Sequence, residues 1–193
     1  TIFSFEVFPP KKESGIETVY DTIEKLTDLK PDFISVTYGA GGSGVTNPIT
    51  KDICSKIKNE YKLETIAHLS CINNTKDEID KILEELKKEG IDNILALRGD
   101  RVEGLEPKKD FTYASDLTKY IMDKGGFHVS GACYPEVHME AKDAVDDIKN
   151  LKKKVDAGAD HLISQLFFDN RVFYDFLERA RIADINVPIE AGI

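Results

Sequence analysis

Seven short segments of this chain are apolar almost without interruption, and each runs into polar residues within a few positions. They begin near Phe3, Phe33, Thr65, Asn93, His128, His161 and Val187, at intervals of 26 to 35 residues. Short runs rich in β-branched and aromatic residues, bounded by turn residues, predict buried strands. The stretches between them carry a helical period. Ile16, Val19, Ile23 and Leu26 fall on one helical face, and Ile49, Ile53 and Ile57 repeat at spacing four. Thr75-Lys76-Asp77-Glu78 reads as a capping box ahead of Ile79, Ile82, Leu83 and Leu86, and Gly90 ends that helix. Val145, Ile148, Leu151 and Val155, closed by Gly158, predict another helix. Val172, Phe173, Phe176, Leu177 and Ala180 predict the last.

Alternating strands and helices with near-continuous apolar strands imply a parallel sheet covered by helices. A doubly wound sheet gives the same order, but it places its ligand at one switch point. Here polar groups arrive at nearly every strand end: Glu6, Thr37, His68, Arg98 with Asp100, Tyr134 and Gln165. That favours a barrel, whose site is assembled from successive strand tips. The expected fold is α/β, a (β/α)8 TIM barrel. A closed barrel needs eight strands and about 250 residues, so about seven strands are expected here, with the C-terminal strand-eight region missing. The chain begins inside a strand pattern at Thr1-Ile2-Phe3 and stops at Ala191-Gly192-Ile193, so both ends read as truncated. Residues 1–193 read as a single barrel domain. An open seam is expected between the first and last strands.

Length and composition agree with one globular domain: 193 residues, 41% hydrophobic. The net charge is −9, with acidic and basic residues interleaved. That argues against nucleic acid or an anionic membrane as the main partner, though a phosphate-bearing cofactor needs only a few local donors. Cys54, Cys71 and Cys133 form no C-x-x-C pair, which suggests free thiols in a reducing compartment. No run reaches transmembrane length and no signal peptide is visible.

Candidate chemistry begins at Leu97-Arg98-Gly99-Asp100, where an apolar strand stops at a cation, a glycine and a carboxylate. A glycine there lets a ligand approach the backbone, and the charges can orient it. Glu6, between aromatic residues in Phe5-Glu6-Val7-Phe8, is a carboxyl whose pKa burial would raise, making it a proton donor near neutral pH. The plain alternative, a solvated residue in a proline-stiffened loop, is equally open from position alone. Thr37-Tyr38-Gly39-Ala40-Gly41-Gly42-Ser43-Gly44 can bind phosphate or a carbonyl-rich ring through backbone N–H groups. It lacks the P-loop lysine and the G-x-G-x-x-G spacing, and a simple flexible loop is the more common reading of such a cluster. Glu6, His68 and Asp100 form an imaginable metal set, but no H-x-H or H-E-x-x-H spacing supports one. His128 and His161 begin strands and read as structural. Asp147, Asn150 and Lys154 share one helical side, where carboxylate, amide and ammonium can hold a ribose and a phosphate.

Six motifs then occur in order: Phe3-Ser4-Phe5-Glu6-Val7-Phe8-Pro9-Pro10, Ser35-Val36-Thr37-Tyr38-Gly39-Ala40-Gly41-Gly42, Leu97-Arg98-Gly99-Asp100, Tyr113-Ala114-Ser115-Asp116-Leu117, Tyr134-Pro135-Glu136-Val137-His138 and Asn150-Leu151-Lys152-Lys153-Lys154-Val155-Asp156-Ala157-Gly158-Ala159. Through them the chain closely resembles the catalytic, flavin-binding barrel of the methylenetetrahydrofolate reductases, over essentially all its length. The resemblance implies FAD across the top of the barrel. It implies contacts from Thr37, Tyr38, Ala40, His68, Arg98, Gly99, Asp100, Ala114, Tyr134, His138, Ala141, Asp147, Asn150, Lys153 and Lys154. Glu6 matches the family's general acid, Asp100 the carboxylate near flavin and pterin, and Gln165 a folate-binding glutamine. Glu6, Thr37, Asp100 and Gln165 are thus the implied substrate contacts. Lys153 stands where some relatives carry arginine, which keeps the charge but loses the two-pronged donor.

The implied reaction is reduction of 5,10-methylenetetrahydrofolate to 5-methyltetrahydrofolate by NADH or NADPH, in ping-pong fashion through FAD. The implied setting is a cytoplasmic homo-oligomer serving methionine biosynthesis, with an electron-donating protein as a further candidate partner. Two rival readings remain at this level. One is a barrel enzyme that binds pterin without flavin; the other is a nucleotide-binding module without catalysis. Glu6, Asp100 and Gln165 together weigh against the second, because binding alone needs no internal acid.

Overall fold

The computed structural model describes residues 2–10, 13–38, 48–101, 104 and 106–193. The seven strands are β1 (Ser4–Val7), β2 (Phe33–Val36), β3 (Glu64–Ser70), β4 (Asn93–Leu97), β5 (His128–Cys133), β6 (His161–Ser164) and β7 (Ile189–Glu190). All pair in parallel, in the order of the chain. The helices between them are α1 (Ile16–Thr27), α2 (Pro48–Asn59), α3 (Lys76–Lys88), α4 (Ala114–Lys124), α5 (Ala144–Asp156) and α6 (Asn170–Ile182). This is an α/β, TIM-barrel-like fold carrying seven strands. Small differences from the sequence reading concern boundaries. β3 runs two residues past His68, and the last strand starts at Ile189 rather than near Val187.

Five helices coincide with the apolar stripes, and α3 has the reciprocal capping box at Thr75 and Glu78. Helix α4 had no counterpart among those stripes. Its buried face is short, Ala114, Leu117, Thr118 and Ile121. Its end signals are local: Asp116 accepts from the backbone of Thr112 and Tyr113 at 2.9 Å, and Gly125 closes it at φ 75°. A capping carboxylate at the third helical position was the available signal.

Side chains alternate across each strand. Ile34, Val36, Ala67, Leu69, Ile94, Ala96 and Val129 face the helices and form the main core with Ile23, Ile53, Ile57, Ile79, Leu117 and Ile121. A second cluster joins Cys133 and Leu162 to Leu151, Phe176, Ala180 and Ile185. The alternate positions, Ser4, Glu6, Ser35, His68, Ser130, His161 and Glu190, therefore turn to the concave side of the sheet. Burial of the outward set holds the strands, so the inner set is free to be polar.

β1 and β7 are the two edges of the sheet and share no ladder. They meet through side chains instead: Ser4 Oγ donates to Glu190 Oε1 at 2.5 Å. Glu190 Oε2 lies 3.6 Å from His161 Nε2, and His161 Nδ1 lies 3.4 Å from Ser130 Oγ. His161 thus belongs to a polar line spanning the expected seam. His128, by contrast, is exposed and pairs with Asp160 at 3.1 Å.

Gly99 shows a use of glycine other than ligand access. It sits at φ 87°, and a Cβ there would lie 2.9 Å from Ser70 Cβ and 3.2 Å from Ile72 Cγ2. The chain leaving β3 folds against this turn, with the N–H of Ile72 donating to Arg98 O at 2.8 Å. Both the left-handed backbone and the packing demand glycine. Gly99→Ala is expected to destabilise the full-length protein by more than about 1 kcal/mol, read as a lower urea midpoint. An unmoved midpoint would show that the turn relaxes freely.

Candidate active site

The polar residues anticipated at strand tips do stand at the carboxyl end of the sheet. Glu6 is the last but one residue of β1, and His68 lies near the end of β3. Thr37 follows β2, its N–H donating to Val7 O at 3.0 Å and its carbonyl accepting from Thr50 Oγ1 at 3.0 Å. Tyr38 packs against the main core. Arg98, Gly99 and Asp100 follow β4, and Tyr134 follows β5. Gln165 follows β6, with its N–H on Cys133 O at 2.8 Å. Ala40 and its glycine-rich neighbours lie outside the described residues.

Glu6 and His68 come together from different strands. Glu6 pairs in register with Ser35 on β2, and β2 in turn pairs with β3. His68 Nε2 lies 3.5 Å from Glu6 Oε2, with side-chain exposures of 7% and 45%. Burial alone raises the Glu6 pKa above the ordinary carboxylate value. Burial also holds the His68 imidazole down to about 4, so it is neutral at physiological pH. A carboxyl whose pKa is raised by burial, beside a neutral imidazole, is suited to act as an acid.

A second set lines the rim above β4 and β5. Arg98 grips Glu140 with both prongs, Nη1 to Oε2 at 2.5 Å and Nη2 to Oε1 at 2.7 Å. The guanidinium holds the Glu140 carboxyl down to about 2. Glu140 escaped the sequence reading because its partner is 42 residues away and nothing local separates it from a solvated charge. Asp100 is exposed, and its charge acts on both Arg98 and Tyr134. Tyr134 meets the His138 ring edge-on at 4.6 Å, and the backbone of Ala141 donates to His138 O at 2.9 Å.

Helix α5 contributes on two levels. Lys154 Nζ donates to Ala132 O at 2.7 Å and lies 5.8 Å from the centre of the Tyr134 ring. Burial lowers its pKa, while Asp147 pulls the other way. Asp147 is itself raised by burial. Asn150 is exposed and bonds the exposed Lys153 at 2.9 Å, so the expected stripe of Asp147, Asn150 and Lys154 divides, with Asn150 turned outward. Ala114 is buried at the start of α4.

The arrangement therefore offers an acid inside the sheet and a mixed-charge, aromatic rim beside it. The three thiols offer nothing to it: Cys54, Cys71 and Cys133 are buried and pushed up to about 12, far from nucleophilic at neutral pH. Among the described residues no cluster of His, Cys, Asp and Glu is placed to hold a metal ion, and no helix is long and apolar enough to cross a membrane.

Comparison with solved structures agrees on the architecture. A putative dihydrodipicolinate synthetase from Pseudomonas aeruginosa superposes with a TM-score of 0.64 at 14% identity, covering all of this chain and 64% of that one. A mandelate racemase/muconate lactonizing protein from Paracoccus denitrificans gives 0.61 at 8% identity, covering all of this chain and 47% of that one. At such identities these likenesses speak for fold alone. Sequence comparison goes further. The chain is 45% identical over 190 residues to 5,10-methylenetetrahydrofolate reductase of Escherichia coli, covering 98% of this chain and 63% of that protein. It is 40% identical over 208 residues to methylenetetrahydrofolate reductase (NADH) 1 of Arabidopsis thaliana, covering all of this chain and 35% of that protein. The family model for methylenetetrahydrofolate reductase matches residues 1–193. With that match running the length of the barrel and its strand-tip groups, the chain belongs to the methylenetetrahydrofolate reductase family.

Proposed function

We propose that this chain is the catalytic part of an enzyme that reduces 5,10-methylenetetrahydrofolate to 5-methyltetrahydrofolate with NADH or NADPH through bound FAD. The observation that carries the reading is Glu6: a carboxyl raised by burial, at the mouth of the sheet, in a chain of this family. Ring opening of the substrate needs such a group. The proton leaves the Glu6 carboxyl for folate N10, the bond from N10 to the bridging carbon breaks, and an iminium remains at N5. Asp100 is proposed to stabilise that cation, with Thr37 and Gln165 holding the pterin.

The donor set fits FAD. Arg98 carries a planar fork suited to phosphate, engaged here by Glu140, which a phosphate would have to displace. Lys154 is an ammonium with one carbonyl partner among the described residues, leaving N–H donors for a second oxygen. Tyr134 and His138 present ring surface, and Asp147, Asn150 and Lys153 suit ribose and phosphate. His68, Gly99, Ala114, Ala141, Tyr38 and Ala40 are assigned to the same cofactor by family resemblance. When bound, FAD supplies the hydride-carrying chemistry. The cytoplasmic setting, self-association and service to methionine synthesis rest on family membership alone.

The test is the absorption spectrum of the full-length protein, followed by stopped-flow reduction with each nicotinamide. A colourless protein that resists FAD would return the reading to a pterin barrel without flavin. Lys154→Met probes the rim. Replacing a buried charge with an apolar side chain of similar length is close to neutral for stability. Losing an ammonium–phosphate contact costs about 1–3 kcal/mol, so FAD affinity should fall roughly 10- to 100-fold in a fluorescence titration. Unchanged affinity would remove α5 from the site.

A further inference from the structure

A buried, unpartnered ring nitrogen faces Glu6 inside the sheet. His68 Nε2 is buried and has no hydrogen-bond partner among the described residues, yet it lies 3.5 Å from Glu6 Oε2. Functional hydrogen bonds are often long in the free protein and tighten when substrate closes the site. Among the described residues, His68 is the ionisable group within ion-pair distance of Glu6. On β2, which lies between them, the inward residue is the uncharged Ser35.

We propose that His68 positions Glu6: its Nε2–H donates to Glu6 Oε2, which leaves Oε1 to carry the transferable proton toward the substrate. This rests on the reading of Glu6 as the acid. The alternative tautomer has Nε2 accept a proton from Oε2. It satisfies the pair only while Glu6 is protonated there, and it turns two lone pairs toward each other once the proton has gone. An Nε2–H is satisfied in both states, because a carboxyl C=O and a carboxylate oxygen both accept, the carboxylate more strongly. His68 then holds the carboxyl in one rotamer before transfer and stabilises the carboxylate after it. The neutrality of a buried imidazole suits this role, since a charged one would pull the proton off Glu6 too early.

The experiment is a pH titration of the full-length protein by difference infrared spectroscopy. The protonated-carboxyl band of Glu6 is assigned by its absence in Glu6→Gln. In His68→Leu the carboxylate loses a donor, so the Glu6 midpoint should rise by about one pH unit. His68→Gln, whose amide N–H can reach the same oxygen, should restore it. A midpoint that stays or falls in His68→Leu overturns the proposal. A second measurement needs no variant: nitrogen NMR of ring-labelled histidine should show the His68 Nε2 protonated, and a bare Nε2 overturns the proposal equally. Failure of the underlying reading looks different. It appears as unchanged methylenetetrahydrofolate reduction in Glu6→Gln, whatever His68 does to the midpoint.

Discussion

Replacing Glu6 with glutamine should slow reduction of methylenetetrahydrofolate by at least ~100-fold, the lower end of what a positioned acid contributes. Oxidation of the nicotinamide should stay near its normal rate. Glutamine keeps the length and hydrogen-bonding reach of the side chain but has no carboxylic proton to give. Opening the folate ring requires that proton, whereas hydride transfer from the nicotinamide requires none from the protein. The structure supplies the condition for the role: burial alone raises the Glu6 pKa, and His68 stands 3.5 Å away. Single-turnover stopped flow on the full-length protein separates the two half-reactions. Equal slowing of both, or of neither, removes Glu6 as the folate-directed acid.

A second large effect belongs to stability. His68 is 7% exposed and its folded pKa is lowered from 6.5 to about 4. Between those values the unfolded chain binds a proton that the folded protein refuses, so stability falls as pH falls. The contribution is complete above pH 6.5 and is lost on the way down to about 4. A shift of this size corresponds to about 3 kcal/mol. Glu6 acts with the opposite sign. Its folded pKa is raised, so its contribution is present at low pH and lost as pH rises above the ordinary carboxylate value. Comparing wild type with His68→Gln, both carrying Glu6, isolates the histidine. The urea-derived stability of the wild type should drop more steeply than that of the variant as pH falls between 6.5 and 4. Parallel curves would mean that His68 takes up its proton in the folded state without strain.

These two residues also mark where reading the chain succeeds. A raised carboxyl at Glu6 was one of two readings left equally open by its aromatic neighbours and its place at a strand tip, and burial favours it in the structure. The sequence grouped Glu6 with His68 at the strand tips but did not show their direct pairing, because 62 positions separate the partners and strand register sets their approach. Gly99 was legible as a special glycine, but the packing that requires it was not. That constraint comes from Ser70 at the end of β3 and Ile72 just beyond it, which a Cβ at Gly99 would crowd.

Local periodicity is what a sequence carries most clearly, since the side-chain repeats of helix and strand are properties of the backbone itself. Seven strands, five of the six helices, the Thr75–Glu78 cap and the gathering of polar groups at strand ends follow from that repeat. Helix α4 slipped through because its buried stripe is short. Contacts between distant elements depend on register and on the curvature of the sheet, and neither is written in any one segment. The Arg98–Glu140 fork, the Ser4–Glu190–His161 line across the edges and the burial of Lys154 against Ala132 are of this kind. The chain alone determined which groups reach the mouth of the barrel. Tertiary structure decided which of them meet, because burial and long-range pairing set their charge and orientation.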